Sequence, residues 1–140
     1  MESDISYPTL RERFKAIVLD GFIILIGLVV AGVIFGQFPN APGYVRGAVF
    51  VLVFLLYEPI LVSTGGTVGH RVFGIRVKSY ADYSRNVMIP FAIIRSVVKW
   101  ILSWLSFFTM LSNPEKRAIH DLLSGSIVLY REDAEGEESE

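Results

Sequence analysis

The sequence predicts an all-α membrane protein with two transmembrane helices, a third hydrophobic helical segment and a small cytoplasmic β element. Apolar residues make up 52% of the chain and the mean hydropathy is +0.50, above the range usual for soluble domains. The run from Arg13 to Gly36 is almost wholly apolar, and roughly 20 such residues suffice to cross a bilayer. The few charges cluster between the apolar runs, as in membrane proteins.

The composition also limits the chemistry. There is no cysteine, so disulfides and thiolate metal sites are excluded. Gly65–Gly69 is glycine-rich but lacks the lysine of a phosphate loop. The sequence shows no nucleophile–base arrangement and no nucleic-acid patch, so we expect a protein that is not an enzyme, needs no cofactor and binds no nucleic acid.

The first predicted helix runs from Thr9 to Gly36. Arg11, Arg13 and Lys15 precede its apolar part and predict a cytoplasmic N-terminus by the positive-inside rule. The apolar run is too long for a signal peptide and no A-x-A site follows it, so we interpret it as a retained helix. Asp20 lies within this run, where a simple anchor would have no acid.

The second predicted helix runs from Tyr44 to Ser63 and returns the chain to the cytoplasm. The preceding loop, Gln37–Gly43, has two prolines and no charge, which suits an external turn. Pro59 has no N–H to donate, so the carbonyl of Leu55 loses its helical partner and a kink is expected there.

The third hydrophobic segment, Val87–Leu111, allows two interpretations. It is long enough to span, but Arg95 and Lys99 share one helical face within it, and Trp100 and Trp104 favour the membrane interface. A full crossing would carry the following basic residues outside, whereas a re-entrant or interfacial hairpin would return the chain to the cytoplasm.

A β element is predicted from two short runs. Gly74–Lys78 alternates in hydrophobicity and Ser126–Tyr130 is rich in β-branched residues. We expect these two runs to pair on the cytoplasmic side. The pairing requires both runs to lie on the same side of the membrane, so it discriminates between the two topologies.

The charges inside the apolar segments are expected to form one polar layer. Asp20 and Glu58 should both lie roughly 7 Å from the cytoplasmic edge, with Arg95 and Lys99 as counter-ions. Two bare carboxylates at that depth would not both stay ionised, so a shared proton or a cation would be needed. The layer either binds a cation or proton, or is a structural cluster of ion pairs.

Arg13 is not an obvious partner of Asp20, because two helical turns separate them by roughly 10 Å. Lipid phosphate or a carboxylate on the inner face, with Asp121 a candidate, suits it better. A metal site formed by His70, His120 and Asp121 is conceivable, but no ligand spacing supports it.

Three motifs resemble those of the RDD family. The run RFKAIVLD (Arg13–Asp20) is similar to its opening arginine–aspartate motif. GTVGHRVFGIRV (Gly66–Val77) is similar to its central motif, with His70 where a lysine is usual. HDLLSGSIV (His120–Val128) is similar to its closing motif, with Ser126 in place of threonine. The matching positions are Arg13, Asp20, Thr67, Gly69, Arg71, Gly74, Arg76, His120, Asp121 and Gly125.

The resemblance implies a small, multi-pass protein of the bacterial inner membrane, with a single RDD-type domain over residues 1–131 and an acidic tail, 132–140, expected to be disordered. Some family members are implicated in transport, including sodium/proton exchange. We therefore expect a monovalent cation or proton site at Asp20, Glu58, Arg95 and Lys99. The alternative is a non-catalytic membrane adaptor or scaffold. In either case we expect a homo-oligomer or a partner membrane protein.

Overall fold

The computed structural model describes residues 5–102, 105, 106 and 108–136. These residues form a mostly helical protein with a small two-stranded sheet. In chain order the elements are α1 (Leu10–Gly36), α2 (Gly43–Leu55), α3 (Tyr57–Ser63), α4 (Val68–Val72), β1 (Ile75–Ser79), α5 (Ile89–Leu102), α6 (Phe108–Ser112), α7 (Ile119–Ser124), β2 (Ser126–Tyr130) and α8 (Arg131–Gly136).

Helix α1 begins with a reciprocal cap. The hydroxyl of Thr9 accepts a hydrogen bond from the N–H of Glu12, whose carboxylate accepts one from the N–H of Thr9. Within the described residues, α1 is the one unbroken helix that is long and apolar enough to cross a membrane. Its buried residues form a stripe at helical spacing that faces the rest of the protein, namely Arg13, Ala16, Asp20 and Ile24.

Helices α2 and α3 together replace the predicted second helix. They meet at Leu56 with a bend of 44°. Helix α2 ends at Leu55, four residues before Pro59, so the predicted kink is confirmed. The prediction of two transmembrane helices is therefore not confirmed. The second candidate is a bent pair of helices, and it reaches spanning length only when both halves are counted together.

The two strands pair as the sequence predicts. β1 and β2 are antiparallel, with Val77 opposite Val128 and Ile75 opposite Tyr130. Alternate residues of β1 turn into the core, where Ile75 and Val77 are fully buried. The core on this face joins the sheet to α1, α3 and α5 through Ala16, Val62, Val87, Ala92 and Val128.

The segment Val87–Leu111 is not one continuous helix. Helix α5 ends at Leu102, and the shorter helix α6 begins at Phe108. The expectation for Trp104 lies outside the described residues. Since β1 precedes this segment and β2 follows it, the chain returns to the sheet from which it departed.

The predicted disorder of the tail does not describe its first part. Arg131–Gly136 form helix α8, and Ala134 packs in a small cluster with Ile127 and Leu129. The acidic sequence did not predict this helix, because a single buried alanine on an otherwise polar helix gives no hydrophobic periodicity. Residues 137–140 lie outside the described part of the chain.

Candidate functional site

Asp20 lies where α1 meets the loop that opens α4. Its Oδ1 accepts hydrogen bonds from the hydroxyl of Tyr57 (2.9 Å) and the N–H of Gly69 (2.8 Å). Its Oδ2 accepts one from the hydroxyl of Thr67 (2.5 Å). The side chain is nearly buried, yet no cation forms an ion pair with it among the described residues. Three neutral donors therefore hold this carboxylate.

The close approach of α4 to α1 depends on Gly69. A Cβ atom at this position would lie 2.2 Å from the backbone oxygen of Ala16 and 2.8 Å from Oδ2 of Asp20. Only glycine leaves room for the α4 backbone to reach the carboxylate. This explains why the sequence places a glycine two residues after Thr67.

Thr67 and His70 cap the start of α4. The hydroxyl of Thr67 accepts a hydrogen bond from the N–H of His70, and Nδ1 of His70 accepts one from the N–H of Thr67. The ring is almost fully buried. Burial is the main cause that lowers its pKa well below the ordinary value, and the positive charges of Arg95 and Lys99 add to it. His70 is therefore neutral at physiological pH.

Glu58 and Lys99 form a second polar contact at the same level. Nζ of Lys99 donates to Oε1 of Glu58 at 2.8 Å, and both side chains are largely buried. This ion pair joins α3 to α5. Both residues, together with Asp20, line a cavity of about 230 Å³ between α1, α3 and α5.

The cavity wall is mostly apolar. Phe14, Ile17 and Ile24 of α1 and Trp100 of α5 form most of it. Carboxylates and an ammonium group facing an apolar cavity interact strongly, because little water screens them. The cavity therefore places the Lys99–Glu58 ion pair against a mostly apolar wall.

Asp121 binds two arginines in the protein interior. Its Oδ2 accepts a hydrogen bond from Arg13 at 2.5 Å, and its Oδ1 accepts one from Arg95. All three side chains are at most 3% exposed. The carboxylate also accepts the N–H of Ala118 at 3.0 Å, which caps α7. This triad joins α1, α5 and α7.

His120 extends the triad. Its Nε2 lies 3.4 Å from Nη2 of Arg13, and its Nδ1 lies 2.7 Å from the hydroxyl of Ser106. Burial lowers the pKa of His120 well below its ordinary value, and the charges of Arg95 and Arg13 act in the same direction. The described residues contain no group of three or more histidines and acids placed to hold a metal ion.

The remaining motif positions shape the backbone. Gly74 and Gly125 both have positive φ, and Gly125 ends α7 in the left-handed conformation that favours glycine. The carbonyl of Gly74 accepts a hydrogen bond from the N–H of Arg131. Arg71 donates to the hydroxyl of Thr64, and Arg76 donates to the carbonyl of Ile75.

The structure brings together most of the predicted polar layer. Asp20, Glu58 and Lys99 share one cavity, and Arg13 does bind Asp121 rather than Asp20. Arg95 is the exception, because its carboxylate partner is Asp121. The predicted depth of Arg95 was compatible with a partner in the layer of Asp20 and Glu58 or with Asp121. Only the position of α7 decides between them.

Sequence reasoning missed two hydroxyls in this region. Tyr57 donates to Asp20, and Ser106 contacts His120. Tyr57 had one available signal, since it lies beside Glu58 just before the helix-breaking Pro59. Ser106 lies in a run of aromatic and small residues that carries no such signal.

The sequence model of the RDD family matches residues 7–125. This range includes Asp20, Glu58, Lys99 and the whole triad around Asp121. No curated protein and no solved structure matches the chain.

Proposed function

The chain belongs to the RDD family, and we propose that it is an inner-membrane protein whose cavity binds a monovalent cation or a proton. The observation that carries this proposal is the convergence of Asp20, Glu58 and Lys99 on one cavity between α1, α3 and α5. Ionisable groups cost free energy when they are held in an apolar environment, and in membrane proteins they often mark ion or proton pathways.

The proposed topology has a cytoplasmic N-terminus. Arg11 and Lys15 are exposed at the start of α1, where they can meet the anionic inner surface. Arg46 lies in the first turn of α2, at the end of the helices opposite the N-terminus of α1. It donates to the carbonyls of Phe38 and Pro39, so the α1–α2 turn itself holds this external arginine. The cavity then faces the cytoplasmic leaflet.

The ion pair suggests how exchange could proceed. A cation that binds Glu58 displaces the ammonium group of Lys99, and this group passes one proton to water outside the cavity. One positive charge enters as one leaves, so the buried site keeps its charge. Among the described residues, a single copy lines this cavity mainly with α1, α3 and α5, and these few helices do not enclose a pathway across the membrane. A pathway would therefore need a homo-oligomer or a partner membrane protein.

Proteoliposomes containing the purified protein test the proposal. An imposed sodium or potassium gradient should move protons, followed by an internal pH-sensitive dye, and Glu58→Gln should abolish the flux. Asp82→Asn, which changes an exposed carboxylate far from the cavity, serves as the matched control. Absence of ion-driven flux in the wild type, or full flux in both Glu58→Gln and Asp20→Asn, would contradict it.

A non-catalytic adaptor is the second candidate. It is favoured by the observation that Asp20 and Asp121 already have three or more donors each, as expected of structural groups. In that case the exposed face of α4, which carries Arg71, would meet a partner. A photo-cross-linker at position 71 that captures lipid and no protein in cells would count against the adaptor.

A further inference from the structure

Helix α5 is polar towards the protein and apolar on its outside. Ala92, Arg95 and Ser96 are buried, and Lys99 continues the same stripe. The residues on the opposite face are apolar and between 42% and 75% exposed, namely Phe91, Ile93, Ile94, Val97, Trp100 and Ile101. A soluble helix has the reverse arrangement.

Helix α5 is shorter than the hydrocarbon core of a bilayer. Its 14 residues measure roughly 21 Å, against a hydrocarbon thickness of about 30 Å. Near its end, the ring of Trp100 packs against Phe54 of α2 with 4.9 Å between centroids. Phe54 lies nine residues before Ser63, the inner end of the bent pair, which corresponds to roughly 14 Å along the helix.

The chain has turned back soon after α5 ends. Ser106, four residues beyond Leu102, is fully buried and contacts His120 of α7 at 2.7 Å. The hydroxyl of Thr109 in α6 then donates to the carbonyl of Arg117 at 3.2 Å. Both contacts lie beside β2, and β2 pairs with β1, the strand that precedes α5.

We propose that α5 and α6 form a hairpin that enters and leaves the membrane on the side of the sheet, with the outer face of α5 against the acyl chains of that one leaflet. Lipid is the occupant because Trp100 of α5 and Phe14 of α1 are both about half exposed or more and border the same cavity, whose wall is mostly apolar. The latter helix is the candidate span, whose outer surface lipid must cover. The inference concerns topology and holds whether or not the cavity conducts an ion.

Because the natural chain has no cysteine, single cysteines report sidedness without background. We would label Arg85→Cys before α5, Ser112→Cys after α6 and Asn40→Cys in the α1–α2 turn, using a membrane-impermeant thiol reagent on spheroplasts. All three positions are exposed. We expect position 40 to react in intact spheroplasts, and positions 85 and 112 to react only after permeabilisation. Labelling of position 112 from outside would establish a third crossing and overturn the hairpin.

A nitroxide at Val97→Cys, in protein reconstituted into liposomes, tests the lipid contact. We expect relaxation by oxygen, which partitions into lipid, and little relaxation by a water-soluble nickel complex. A matched label at Arg85→Cys should show the opposite ratio. Strong relaxation by nickel at position 97 would mean that water covers the face. Spin–spin broadening there would mean that a second copy covers it, and either result overturns the proposal.

Discussion

At the scale of single residues, Asp121 is fully buried and contacts two buried arginines. It neutralises one of two buried guanidinium charges that it contacts, Arg13 and Arg95, so the triad keeps a net positive charge. Nε of Arg95 has no hydrogen-bond partner within the described residues. The nearby histidines are neutral, which avoids adding further charge to this region.

Replacement of Asp121 by asparagine should therefore destabilise the fold severely. The variant keeps the shape but removes the carboxylate charge that both buried guanidinium groups contact, and breaking a buried ion pair typically costs about 3–5 kcal/mol. Thermal unfolding of the purified protein in detergent measures the loss. Asp82→Asn removes an exposed carboxylate and should change little. Equal melting temperatures for Asp121→Asn and the wild type would show that the triad does not stabilise the fold.

At the scale of elements, three buried carboxylates join the helices. Asp20 of α1 binds the start of α4, and Asp121 of α7 binds α1 and α5. Glu58 adds the contact from α3 to α5. In the proposed membrane location, apolar packing between helices is a weak driving force, so polar contacts of this kind would do more to specify the arrangement.

Gly69→Ala should disrupt the docking of α4 on α1. The new Cβ would lie 2.2 Å from a backbone oxygen, and overpacking of this kind typically costs about 1–3 kcal/mol. Gly32→Ala is the matched control, because nothing lies within 4 Å of a Cβ at that position of α1. The melting temperature should fall for the first variant only. A similar response from both would contradict the close contact.

At the scale of the whole molecule, the buried histidines link stability to pH. His70 and His120 have lowered pKa values in the folded protein, while an unfolded histidine titrates near about 6.5. Below that pH the unfolded chain takes up protons that the folded protein does not. The free energy of unfolding should therefore be highest above about pH 6.5 and fall as the pH decreases, by up to about 1.4 kcal/mol per pH unit for each histidine.

Melting temperatures between pH 8 and pH 5 test this linkage. The double variant His70→Gln/His120→Gln, which keeps polar side chains but cannot titrate, should show a smaller decrease over the same range. The comparison of slopes matters more than the absolute stability of the variant. A wild-type melting temperature that does not change below pH 6.5 would mean that the histidines are protonated in the folded state.

Several features of this protein followed from the sequence alone. The start of α1 near Thr9, the break before Pro59 and the pairing of Gly74–Lys78 with Ser126–Tyr130 depend on local geometry and hydrophobic periodicity, which neighbouring residues encode. The family followed from three motifs in the correct order. Helical rise placed Asp20 and Glu58 at a similar level, and the structure brings both to one cavity.

Only the tertiary structure decided which charges meet. Arg95 could have served the layer of Asp20 and Glu58, but α7 places Asp121 against it. The return of the chain by Ser106, the donation from Tyr57 to Asp20 and the burial of Ala134 also depend on residues far apart in sequence. Periodicity fixes the face and depth of a residue along its own helix. The identity of the facing residue is set by packing between helices, which no local pattern contains.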